Sequence, residues 1–223
     1  MTSLELRFYR DQLQPGAEIL RPLKAAHRIV YVYDGSATLL QDKSLEKDSG
    51  FYSRSAMSLS AGPKGAEVWR WEIALEETEE SLAEGDGVIS NLLLSGAIKT
   101  VETEDNEGWL MRLDGVAFPA GGCAYTHTHR GPGIRSLVSG SIRIDAENTS
   151  HSYGIGEPWF ESGPDPVFAQ AGNLATRFVR TSVLPERLLG KSSIRYENPE
   201  DLDKPKDQTY RSYVDVVIGM PNR

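Results

Sequence analysis

Apolar and polar residues alternate along much of this chain in short runs that Gly, Pro, Asn and Asp interrupt. The run Val68-Trp-Arg-Trp-Glu-Ile73 shows the pattern plainly: in an extended strand Trp69 and Trp71 fall on one face, Arg70 and Glu72 on the other. Segments of this character at 28–34, 66–73, 109–118, 135–138, 141–145, 176–184 and 210–217 predict strands. Their number and spacing predict an all-β protein, a sandwich or a barrel. The only plausible helix is the Glu-rich segment 75–83, which reads equally well as an acidic loop.

The strand pattern repeats. Ile29-Val-Tyr-Val-Tyr-Asp-Gly-Ser36 resembles Ile134-Arg-Ser-Leu-Val-Ser-Gly-Ser141, and Ser60-Ala-Gly-Pro-Lys-Gly-Ala66 resembles Glu161-Ser-Gly-Pro-Asp-Pro-Val167, with offsets of 105 and 101 residues in the same order. Two similar β-domains in tandem follow from this, 1–90 and 91–190, with the boundary inside 84–108. The remainder, 191–223, is polar, regains strand character at 210–218 and is expected to pack back on the body. Packing against the other domain or a second subunit explains the Trp69/Trp71 face as well as ligand binding does, and sheet edges and aromatic faces that need cover predict a homodimer.

Composition narrows the partners. With 32 acidic against 24 basic residues and a net charge of −8, the surface repels phosphate backbones and anionic lipid, so neither nucleic acid nor a membrane surface is expected. The first ten residues lack an apolar signal-like core and no later apolar run approaches the roughly 18 residues of a membrane span. The single cysteine, Cys123, excludes an intrachain disulfide and fits a reducing compartment, so a cytoplasmic location is expected.

The chemistry concentrates at 119–134. Two of the four histidines, His127 and His129, stand one residue apart in a stretch rich in Gly and Pro. On a strand, i and i+2 share a face, so both imidazoles reach one space and can share one cation. A helix would splay them by about 200°.

These residues resemble the first motif of the cupin superfamily. Gly121 is followed by five residues, His127-Thr128-His129, three residues, Gly133 where the motif has Glu, six residues and Gly140. The second motif is half kept: after Gly156 and five residues comes Ser162-Gly163-Pro164, and Val167 stands where the motif has its third histidine. Aligning Gly35 with Gly140 puts Pro22, Lys24 and Arg28 at the first-motif ligand positions of the N-terminal half, which should then hold no metal. The resemblance, which covers about 15–185, implies two tandem cupin-type β-barrels (double-stranded β-helix, or jelly roll), the second with one divalent ion, Fe, Mn, Ni or Zn.

A third ligand is needed, since three protein ligands and an open position are usual in a catalytic centre. Glu161 is the candidate: it ends a strand before the turn 162–166, and a hairpin there would set it beside Val167. A hydrogen bond within the turn is the plain alternative. Inward parity along the strands of the His pair and of position 133 adds Tyr125 and Cys123, then Arg135 and Leu137. Tyr125 could donate a proton or hydrogen bond, and Arg135 could anchor a substrate carboxylate or pair with Glu161 or Asp165. His27 and His151 read as structural or solvated residues. The resulting expectation is a metal-dependent enzyme acting on a small organic substrate, with two His and one carboxylate favouring dioxygenase-like chemistry. The alternatives are an isomerase, cyclase or hydrolase with another metal, or a non-catalytic binding or sensing protein.

Overall fold

The computed structural model describes residues 3–40, 43–146 and 148–219. The chain divides into two compact units, 1–97 and 98–223. The first holds β1 (Leu4–Leu13), β2 (Arg28–Leu39), β3 (Lys43–Glu46), β4 (Ser49–Ser53), β5 (Leu59–Leu75) and β6 (Val88–Ala97). The second holds β7 (Trp109–Phe118), β8 (Cys123–His129), β9 (Gly133–Ser139), β10 (Ile142–Ala146), β11 (Thr149–Tyr153), β12 (Pro158–Glu161), β13 (Val167–Ala171), β14 (Thr176–Pro185), β15 (Ile194–Tyr196) and β16 (Thr209–Gly219). All seven predicted strand segments are strands, whereas 76–84 is an irregular acidic stretch in which Arg7 and Arg70 tie down the carbonyls of Glu76, Thr78, Glu79 and Ser81. Among the described residues no helix is long and apolar enough to cross a membrane.

The units are all-β jelly rolls built to one plan. In the first, β4 and β3 lie on β2, followed by β5, β1 and β6; in the second, the order β12-β9-β14-β7-β16 repeats the path β4-β2-β5-β1-β6. The long, bent β2 and β5 of the first unit are each broken in two in the second, as β9/β10 and β13/β14, giving a second sheet β11-β10-β13-β8-β15. The pairing tests the two sequence repeats separately. Gly35 and Gly140 both turn the chain at a positive φ, +71° and +78°, between equivalent strand segments. The Gly-Pro match does not hold: Ala37 pairs Ala61 and Ile142 pairs Ala171, so Ala61 corresponds to Ala171 and not to Ser162. A Gly-Pro pair marks a turn wherever one is needed, which is why its recurrence misleads about equivalence.

At Gly140 this geometry leaves no room for a side chain. A Cβ there would lie 2.8 Å from the Ala175 carbonyl in addition to the left-handed backbone, whereas a Cβ on Gly121, at φ +71°, meets nothing within 4 Å. Gly140→Ala should therefore destabilise by about 1–3 kcal/mol and more than Gly121→Ala does. Equal urea midpoints for the two variants would refute this account of the turn.

The first unit buries an ion network instead of a histidine cluster. Arg28 and Arg70 are fully buried, Arg28 pairs Glu72, and Arg70 bridges Glu72 and Asp11, the latter at 2.7 Å. Tyr9 stacks under the Arg70 guanidinium at 4.2 Å. The opposite face of β5 carries Trp69 and Trp71 against Phe8, Tyr31 and Tyr33. Both faces of this central strand are thus buried. In the second unit the polar segment after β14 contributes β15 at the edge beside β8 and β16 at the edge beside β7.

Candidate functional site

The two sheets of the second unit contribute facing apolar side chains: Val116, Phe118, Leu137, Trp159 and Phe178 from one, Ala124, Ile144 and Ala169 from the other. At one end this lining gives way to His127, His129, Arg135, Glu161 and Arg180 around a cavity of about 20 Å³. A single water needs roughly 10–15 Å³ by such a measure, so there is room for one water or one ion and for no organic molecule.

β8 sets the imidazoles. It lies between β13 and β15, with His127 opposite Val167 and Tyr196, and His129 opposite Ile194. Both rings are buried and meet edge to face, 4.8 Å between centroids. His127 Nδ1 lies 2.7 Å from the Tyr125 carbonyl oxygen, a contact that requires the N–H at Nδ1 and leaves Nε2 with a free lone pair. Burial lowers the pKa of both, that of His129 to about 3 against the opposing pull of Glu161. Both are neutral near pH 7, the form that coordinates a metal.

Glu161 reaches the same cavity by a route other than the expected hairpin. β12 pairs β9, not β13, and Glu161 stands directly opposite Gly133. The segment 162–166 therefore crosses from one sheet to the other. Residues directly opposite in an antiparallel pair project to the same side. The carboxylate thus enters beside the place of the motif's missing glutamate, and it faces Val167 across the cavity. Glu161 Oε2 lies 3.3 Å from His129 Nε2 and 2.6 Å from Arg135 Nη2, while Oε1 accepts from Trp159 Nε1 at 2.9 Å. The Arg135 contact is short yet lacks hydrogen-bond alignment, so Oε2 and Nη2 are held by charge alone and Oε2 has no directed donor. Burial by itself would raise the Glu161 carboxyl, but Arg135 and His129 outweigh it and hold it well below the usual carboxylate range.

Arg135 is buried, with Nη1 donating to the Gly133 carbonyl at 2.6 Å. Burial brings its pKa down to about 10, which still leaves it charged at neutral pH. Its partner is Glu161, so it braces the carboxylate.

Tyr125 and Cys123 do not join the cluster. β8 carries a bulge: Val167 pairs His127 and Ala169 pairs Ala124, so the extra residue reverses the alternation and Ala124 enters the core. Tyr125 instead lies under the Lys204 and Lys206 ammonium groups, 5.2 and 5.5 Å from its ring centre, and the Cys123 amide donates to Asp207. His27 contacts the Tyr52 hydroxyl at 2.6 Å in the first unit, and His151 is exposed on β11. The residue that sequence reading missed is Arg180, which pairs Asp114 at 3.2 Å. Its parity with the inward Phe178 on the predicted strand 176–184 was the available signal.

Among the described residues no three His, Cys, Asp or Glu side chains are already spaced as the ligands of one metal ion. The donor set nonetheless suits one: two neutral imidazoles, an ionised carboxylate with an undirected oxygen, and a cavity of ion size. Arg135 opposes it, because a cation would have to share Oε2 with the guanidinium or displace it.

This architecture defines a jelly roll of cupin type with a polar cluster at one end of the second barrel. No protein-family model and no curated protein matches the sequence. Solved structures do match the fold. AerE from Microcystis aeruginosa superposes with a TM-score of 0.59 at 12% identity, over 80% of this chain and 88% of that one. A variant form of oxalate decarboxylase from Bacillus subtilis gives 0.58 at 13%, over 80% and 68%. At these identities the likeness is one of fold.

Proposed function

We propose that His127, His129 and Glu161 hold one divalent metal ion in the second barrel, and that the chain is a metal-dependent enzyme acting on a small, oxygen-bearing organic substrate. The observation that supports this reading is the convergence of two neutral imidazoles and an undirected carboxylate oxygen on one ion-sized cavity. Oxalate decarboxylase from B. subtilis, similar in fold at 12% identity, has Mn(II) centres. A bound ion supplies Lewis-acid polarisation of a substrate oxygen and, as iron with two His and one carboxylate, the redox chemistry of oxygenases, which is the reaction class we favour.

The protein's own groups have separate duties here. The Tyr125 carbonyl fixes the His127 tautomer so that Nε2 faces inward. Arg135 orients Glu161, Trp159 anchors its other oxygen, and the apolar lining excludes water from beneath. Glu161→Gln keeps the shape and the Trp159 bond and removes the charge. Metal affinity should fall at least as far as for loss of an outer-shell partner, roughly 10–100-fold. Calorimetric titration with Fe(II), Mn(II) and Zn(II) reads this directly, and unchanged affinity would remove Glu161 from the ligand set. The Arg135–Glu161 ion pair favours a second reading, a binding or sensing barrel in which the guanidinium takes the cation's place. Protein purified without added metal that contains none and takes up none on titration would establish that reading instead.

A further inference from the structure

Above the histidine cluster, on the same face of β7, β14 and β16, lies a cleft of about 290 Å³ closed on one side by residues 190–193. Arg180 and Tyr210 line both this cleft and the small cavity, so they form the partition between them. The cleft is walled by Arg112, Arg180 and Lys191 against Asp114 and Asp215, a local excess of positive charge in a chain of net charge −8.

The charges are unequally committed. Arg112 is spent: it grips Asp215 at 3.0 and 2.9 Å and donates to the carbonyls of Lys191 and Leu188. Arg180 is bound only through Nε and Nη2 to one Asp114 oxygen, and its Nη1 has no hydrogen bond among the described residues. The Lys191 ammonium likewise has no partner among them, and the residue is exposed. Ser193 is 2% exposed and its hydroxyl is buried without a hydrogen-bond partner, an arrangement that costs stability unless a ligand or water answers it.

We infer that this cleft binds a small organic carboxylate, its anionic end held by Lys191, the Ser193 hydroxyl and Arg180 Nη1, with its body against the Tyr210 ring. An ammonium without a partner among the described residues, an orphan hydroxyl and the open Nη1 edge of an Asp114-paired guanidinium, all lining one cleft, are donors a carboxylate takes. The volume, about 290 Å³, falls just short of the roughly 300–1,000 Å³ of drug-sized pockets and so suits a smaller molecule. The inference does not depend on the metal reading, since no histidine lines this cleft.

The test is calorimetric titration of chelator-treated full-length protein with acetate, succinate, citrate and benzoate, with benzamide as the neutral control. At least one carboxylate should bind saturably and benzamide should not. Lys191→Ala and Ser193→Ala should each weaken that binding by about tenfold, as expected for hydrogen bonds to a charged group. Neither variant should lower the melting temperature, since neither side chain holds another part of the fold and removing an unpartnered buried hydroxyl is neutral or stabilising. Binding should persist in His127→Ala/His129→Ala. The inference is overturned if no probe binds saturably, if benzamide binds as well as benzoate, or if Lys191→Ala and Ser193→Ala bind as the wild type does. Binding that vanishes with the two histidines would place the carboxylate in the lower site and overturn it too.

Discussion

Replacing His127 and His129 together by Ala should reduce the metal content of the purified protein from about one ion per chain to background. Single replacements of His27 or His151 should leave it unchanged. The expectation rests on placement: the pair shares one face of β8 and lines the cavity with Glu161, whereas His27 is engaged with Tyr52 in the other unit and His151 is exposed. His127 bonds only within its own strand, and His129 meets Glu161 across the sheets at 3.3 Å, a contact whose loss leaves the backbone ladders in place, so circular dichroism should show an intact fold. Elemental analysis across the three variants decides the matter. Metal retained by the double variant would refute the assignment, and metal lost from His27→Ala would move the site to the first unit.

The largest effect on stability is expected at Arg70. Its guanidinium is wholly buried, bonds both oxygens of Asp11, pairs Glu72 and donates to the Ser81 carbonyl. Arg70→Met keeps much of the volume but leaves Asp11 buried with, among the described residues, only the Ser90 hydroxyl for a partner, while Glu72 keeps Arg28. Stranding one member of a buried ion pair typically costs about 3–5 kcal/mol. Urea unfolding followed by the fluorescence of Trp69 and Trp71, which sit on the same strand, should report that loss. A second variant, Arg70→Met/Asp11→Asn, removes the stranded charge and should recover part of it. Equal stability of the single and double variants would show that Asp11 is relieved by some other means.

Much of this architecture is legible in the alternation of side chains, because a strand with one buried face writes its period into the sequence. The His pair is legible for the same reason, since two residues at i and i+2 share a face on any strand without a bulge between them. Tyr125 and Glu161 show where parity stops being informative. The bulge in β8 adds one residue without changing composition, so parity carried across it sends Tyr125 to the wrong side. For Glu161 the sequence shows a turn at 162–166 but not whether the chain folds back on its own strand or crosses to the facing sheet. The carboxylate reaches the cavity either way, opposite Gly133 and not beside Val167 on a shared ladder. Arg180 lies on a strand that the alternation does reveal and shares the inward parity of Phe178, but it matches no motif position, so its side is legible and its place in the cluster is not.

The two histidines belong to the ladder of β8 and β13, Glu161 and Arg135 to that of β9 and β12, and these are separate sheets. The 3.3 Å between His129 and Glu161 is therefore a measure of how closely the two sheets are pressed together, not of any one strand's register. The cluster behaves as a caliper whose jaws are mounted on opposite walls. Enlarging an apolar residue of the lining that is not itself a jaw, such as Ala169, would force the two sheets apart and open the jaws, and the affinity for an ion between them would then record the packing of the barrel.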